Sequence, residues 1–182
     1  QCVNMRSDVL NLILGWTLLA LLVPLGLCGI ITALLDGWVL AAQAFLPAML
    51  ISGGLGAAML GLFTRTDSAQ RLRDLEAFVG VGLVWPLTVF IGALPYWFGG
   101  VFVGPFVDGA LTIDVMRGFV NAWFESMSGF TTSGATVLSH NMSPNCIPGT
   151  TADCINAQPR GLLLWRSLTQ WLGGMGVVML GM

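Results

Sequence analysis

The chain has 182 residues, 55% of them hydrophobic and 9% charged, whereas roughly a quarter of the residues in a soluble globular domain are charged. Seven arginines, no lysine and nine acids leave a net charge of −2 with no basic block, so composition argues against a soluble enzyme, a nucleic-acid binder and a disordered tail. Charge-free intervals of 27, 28 and 31 residues follow Asp8, Asp36 and Glu76, each long enough for the about 20 apolar residues that cross a bilayer. The fold class expected is an all-α polytopic membrane protein.

In chain order, residues 9–35 form an apolar run too long for a signal-peptide core and without a small-x-small cleavage site in the usual place, so a retained span is expected. Pro24, Gly26 and Gly29 predict a kink, which membrane helices tolerate. Asp36-Gly37 is a turn signal, and residues 38–63 make a second span whose Gly53, Gly54 and Gly56 suit close helix packing. Together they form an N-terminal helix hairpin. The most polar stretch follows at residues 64–74, holding Arg65, Arg71 and Arg73; the positive-inside rule makes it cytoplasmic, together with the N-terminus and Arg6. A third span from Leu75 then runs outward to Leu94-Pro95-Tyr96-Trp97-Phe98, an aromatic cluster suited to the interface. Residues 161–182 return inward, rising about 33 Å against a hydrocarbon core of about 30 Å. Two units are expected: residues 1–74, the helix pair with its loop, and residues 75–182, a helix, a re-entrant loop and a helix.

The re-entrant loop lies between the third and fourth spans. Residues 117–128 have helical composition and one carboxylate, but at about 18 Å they are too short to cross. A short helix, a Gly/Thr-rich stretch and a return to the same side are allowed at membrane depth only where protein or water satisfies the backbone. That stretch contains Thr131-Thr132-Ser133-Gly134-Ala135-Thr136. Beside a T-T-V-G-Y-G filter, in which backbone carbonyls replace the hydration shell of potassium, it matches both threonines and the first glycine and lacks the tyrosine and second glycine. The carbonyls of Thr132, Ser133, Gly134 and Ala135 are the expected ion ligands, flanked by Thr131 and Thr136. Gly134 supplies the backbone freedom that inward-pointing carbonyls need, and the C-terminal dipole of the preceding helix favours a cation. Glu125 is expected to support the filter through a hydrogen bond from behind. Arg166, some five residues into the last span, must snorkel or pair, with Glu125 as candidate partner.

A resemblance then attaches to these residues. Trp123-Phe124-Glu125-Ser126-Met127-Ser128-Gly129-Phe130 and the filter stretch after it, with Leu162-Leu163-Leu164-Trp165-Arg166-Ser167-Leu168-Thr169-Gln170-Trp171-Leu172-Gly173-Gly174-Met175-Gly176, resemble the first pore repeat of Trk/Ktr-family potassium-uptake proteins, as does Gly92-Ala93-Leu94-Pro95-Tyr96. The resemblance covers about 110 residues from Glu76 onward. It implies four helix–pore-loop–helix repeats around one cation pathway, with Gly134 at the selective position, where serine is associated with sodium permeation. It also implies inward potassium flow across a bacterial inner membrane, and a cytosolic nucleotide-binding ring as regulator. One repeat cannot encircle an ion, so either further repeats in a longer chain or several copies are expected as partners, alongside membrane lipid. The competing expectation is a non-conducting membrane interaction subunit or a truncated, inactive chain.

Other residues carry less. Cys146 and Cys154 flank a polar stretch, and both a disulfide and two free thiols fit them. His140 has no second histidine or cysteine pair at zinc-like spacing and reads as a loop residue. Gly173, Gly174 and Gly176 suit either a bend or close packing. With no nucleophile–base pair, phosphate loop or metal cluster, the sequence points away from an enzyme and toward no cofactor beyond potassium as cargo.

Overall fold

The computed structural model of the chain describes residues 7–63, 74–107 and 109–181, with backbone alone at residues 7, 62–63, 74–75 and 177–181. The expected cytoplasmic loop with its three arginines, and Arg6, lie outside the described residues. The described residues form six helices: α1 (Ser7–Ala20), α2 (Leu22–Leu35), α3 (Trp38–Phe63), α4 (Asp74–Phe98), α5 (Thr112–Phe130) and α6 (Arg160–Gly181).

α1 and α2 together make the first expected span, interrupted at Leu21. Pro24 has no N–H to offer the carbonyl one turn back. Leu21 nevertheless keeps right-handed dihedrals, φ −64° and ψ −19°, and donates its N–H to Thr17 at 3.1 Å. Three apolar stretches are long enough to cross a membrane: Asp8–Leu35, Trp38–Gly61 and Glu76–Phe98. Only 28–39% of each is buried within the protein, and Val23, Leu34, Trp38, Val39 and Phe78 are 74–81% exposed. Such a surface is compatible with lipid as solvent. α6, expected as a fourth span, carries Arg160, Arg166 and Gln170 along an otherwise apolar sequence.

The core joins the hairpin to the later helices. Leu18, Leu25, Cys28, Phe45, Ile91, Tyr96, Phe102, Leu162 and Trp165 are all buried in one cluster. Trp165 sits fully inside it, edge-on to Phe45 with ring centroids 6.1 Å apart, and its indole N–H donates to the Gly92 carbonyl at 3.0 Å. α6 docks by its N-terminus. The backbone N–H groups of Arg160 and Gly161 donate to the two carboxylate oxygens of Asp36 at 3.1 and 2.6 Å, so a residue of the α2–α3 turn satisfies two of the orphan donors at the start of α6. Gly161 has no room for a side chain there, because a Cβ would collide with the Thr32 side chain.

α5 descends along α4. The Trp97 indole N–H donates to Val115 near the start of α5 at 3.1 Å, and the Ser126 hydroxyl donates to Val89, close to the midpoint of α4, at 2.7 Å. The chain then returns, and Asn145 donates to the Gly100 carbonyl at 3.2 Å, just beyond the C-terminal end of α4. Residues 131–159 make this return without helix and carry the Cys146–Cys154 disulfide.

Candidate functional site

The site begins where α5 stops. Thr131 is the helix C-cap; the Thr132 N–H donates to Gly129 at 2.9 Å and the Ser133 N–H to Ser128 at 3.1 Å. These are the paired bonds of a Schellman terminator, whose closing residue takes a left-handed conformation and is usually glycine. Here it is Thr132, with φ 57°, the only non-glycine residue of positive φ among the described residues. A left-handed conformation costs a Cβ-bearing residue about 1–2 kcal/mol. Two residues on, Gly134 is left-handed as well, with φ 71°. Left-handed residues thus stand at positions 132 and 134 of the strand.

The strand is held from behind. The Ser128 hydroxyl donates to the Ala135 carbonyl at 2.5 Å, and the Ser133 hydroxyl reaches the Ser128 hydroxyl at 3.1 Å. The Thr136 hydroxyl donates to Glu125 Oε1. Arg166 Nη2 donates to the Gly134 carbonyl at 3.3 Å, while its Nε lies 3.8 Å from Glu125 Oε1. Glu125 is 1% exposed, so an uncompensated charge there would be costly. Glu125 and Arg166, expected to support the filter, thus contact the strand at Thr136 and Gly134. The pairing is incomplete, because Glu125 Oε2 and Arg166 Nε are buried without a hydrogen-bond partner.

Of the four carbonyls expected to bind an ion, those of Gly134 and Ala135 already accept protein donors, from Arg166 and Ser128. Those of Thr132 and Ser133 accept none among the described residues. The whole run from Thr131 to Thr136 is exposed on its outer face. Behind it, close packing is obligatory: a Cβ on Gly129 would strike the Thr169 hydroxyl, and one on Gly173 would strike the Phe130 carbonyl. α6 continues unbroken through Gly173, Gly174 and Gly176; of the three, Gly173 is closely packed and Gly176 faces open space.

One expectation changes in detail. α5 spans 19 residues, Thr112–Phe130, not 117–128; at about 28 Å it approaches crossing length, and Asp114, Arg117 and Glu125 are what separate it from an apolar span. Ser128, which holds both Ser133 and Ala135, escaped sequence reasoning; its only signal was a small polar residue one turn before the filter stretch. His140 approaches Cys154 and Cys146 closely enough to resemble a metal cluster, but both sulfurs are consumed by the disulfide, and the His140 ring contacts the Thr151 carbonyl at 3.0 Å.

Known proteins share this stretch of sequence. The potassium uptake protein TrkH of Halomonas elongata is 32% identical over 138 residues, 76% of this chain and 23% of that protein. TrkH of Escherichia coli K12 is 31% identical over 140 residues, 77% of this chain and 23% of that protein. This chain belongs to the TrkH-like Trk family. An uncharacterized cation transporter of Methanocaldococcus jannaschii is 31% identical over 116 residues, 64% of this chain. The chain spans only 19–23% of the length of these relatives. No family model and no solved structure matches it.

Proposed function

We propose that this chain contributes one ion-selecting strand, residues 131–136, to a potassium-uptake pathway in a bacterial inner membrane, with its N-terminus in the cytoplasm. The observation that carries the reading is the spacing of left-handed residues at Thr132 and Gly134. Backbone that alternates in hand turns successive carbonyls toward one side, the arrangement that strips and replaces an ion's hydration. Backbone strain at a non-glycine residue also marks functional sites more often than arbitrary turns. The names of the relatives, potassium uptake proteins, supply the ion. Transport, not catalysis, follows from the same kinship, with potassium as cargo and no further cofactor. The remaining walls of the pathway come from further repeats or copies, and a cytosolic nucleotide-binding ring is the proposed regulator.

The test is rubidium and sodium uptake in cells deficient in potassium uptake. Gly134→Ser should cut discrimination against sodium by roughly tenfold, because a Cβ at φ 71° costs about 1–2 kcal/mol and shifts the carbonyl. Steric crowding is not the cause: a Cβ there meets Gln170 only at ordinary contact distance, 3.5 Å. An unchanged rate together with an unchanged ion preference would refute the filter assignment and leave the interaction-subunit reading.

A further inference from the structure

The contacts around Gly134 carry a second consequence, which rests on the filter reading above. Gly134 is the residue whose backbone freedom the filter needs, yet its carbonyl accepts the guanidinium of Arg166 at 3.3 Å. A cation and a guanidinium cannot share one carbonyl at close range in a low-dielectric site without strong repulsion. We propose that Arg166 competes with the permeating cation for the Gly134 carbonyl, and that Glu125 receives the guanidinium when the ion is bound.

The geometry already holds a second seat for that guanidinium. Arg166 Nε stands 3.8 Å from Glu125 Oε1 and makes no hydrogen bond, and Glu125 Oε2 is buried with none. A small rotation of the arginine toward Glu125 satisfies both orphaned atoms in a bidentate pair, the geometry that planar guanidinium and carboxylate favour. The same rotation releases the Gly134 carbonyl. Without an ion, release leaves that carbonyl with no protein donor, so Arg166 stays on it. With an ion the carbonyl is satisfied by the cation, and the arginine is repelled toward the carboxylate. Glu125 remains fixed in either position, because Thr136 donates to its Oε1. The exchange needs no movement of α5 or α6.

Opposite effects on the two partners test this. A lysine at position 166 places its ammonium where the arginine's Cζ lies, one bond short of Nη2, so it still reaches toward Glu125 but falls short of Gly134. Arg166→Lys should therefore lower the half-saturating rubidium concentration about two- to tenfold, the worth of one competing hydrogen bond. Glu125→Gln removes the charge that receives the guanidinium and should raise that concentration, with the change falling on half-saturation more than on maximal rate. Glu125→Gln combined with Arg166→Gln should return it below the single Glu125 variant. A purely structural brace would instead move both single variants the same way and reduce maximal rate, which would overturn the proposal. Should the Arg166→Lys protein fail to reach the membrane, an unchanged half-saturation for Glu125→Gln overturns it alone. Gly134→Ser separates the two readings: if it alters potassium over sodium preference while Arg166→Lys leaves half-saturation unchanged, the filter stands and the competition does not.

Discussion

Thr132 occupies a place where most helices end in glycine, and the reason is visible in its bonds. Its N–H and that of Ser133 close the last turn of α5 onto Gly129 and Ser128, which forces φ to 57° whatever the side chain. Thr132→Gly should relieve about 1–2 kcal/mol of strain and return about 0.5–1 kcal/mol as backbone entropy in the unfolded chain. A net gain of up to about 1.5 kcal/mol and a modest rise in the thermal midpoint in detergent are expected. A fall in the midpoint would mean that the threonine side chain stabilises the strand by more than its backbone strain costs. At this scale the left-handed backbone at Gly134 was legible in the sequence, because glycine takes that conformation without a Cβ penalty. Thr132 was not, since the terminator depends on hydrogen bonds and not on residue type. Glu125 and Arg166 were legible as a pair because lone charges at membrane depth are costly. That Arg166 also takes the Gly134 carbonyl was not, since any backbone oxygen looks the same in sequence.

Among the elements, α5 and α6 differ most from expectation, and both differences lie at helix ends. α5 begins at Thr112 behind Leu111, an extended residue that offers no side-chain cap. Its first turns carry Asp114 and Arg117, paired at 3.6 Å on the surface, and such a polar opening reads as loop. α6 begins with no acid of its own, because Asp36, more than a hundred residues earlier, does the capping. Asp36-Gly37 was legible only as a turn; a cap borrowed across such a separation leaves no local pattern. Asp36→Ala removes both acceptors from the first N–H groups of α6 and should destabilise the folded chain by about 1–2 kcal/mol. Asp36→Asn, which keeps one acceptor and loses the charge, should cost less. Thermal unfolding in detergent separates the two variants, and equal midpoints for both and the parent would show that water caps α6 as well as Asp36 does. The interruption between α1 and α2, by contrast, falls within one turn of Pro24, and the continuity of Asp8–Leu35 as one apolar run followed from its lack of charge.

Over the whole molecule, sparse charge fixed the hairpin and the third span, while the packing that gathers the connecting loops needed the structure. Asp36 bound to the start of α6, and Asn145 bound to Gly100, bring the α2–α3 turn, the α4–α5 link and the return loop to one end. The disulfide between Cys146 and Cys154 lies at that end as well, and the sequence left its formation open because spacing of cysteines does not fix their geometry. A disulfide persists only in an oxidising compartment, which independently of the arginines supports the proposed orientation with this end outside. Single cysteines test it. Trp38, Leu111 and Asn141 are exposed positions at this end. Trp38→Cys, Leu111→Cys and Asn141→Cys should each react with a membrane-impermeant maleimide on intact cells, whereas Ser68→Cys, within the arginine-bearing stretch, should react only after permeabilisation. With Cys2 replaced by serine in every variant the native cysteines do not obscure the readout, since Cys28 is buried and the Cys146–Cys154 pair is oxidised. Labelling of Ser68→Cys on intact cells, with the other three protected, would invert the orientation. The filter strand would then have to be approached from the cytoplasm, which is incompatible with an outer entrance for inward potassium flow.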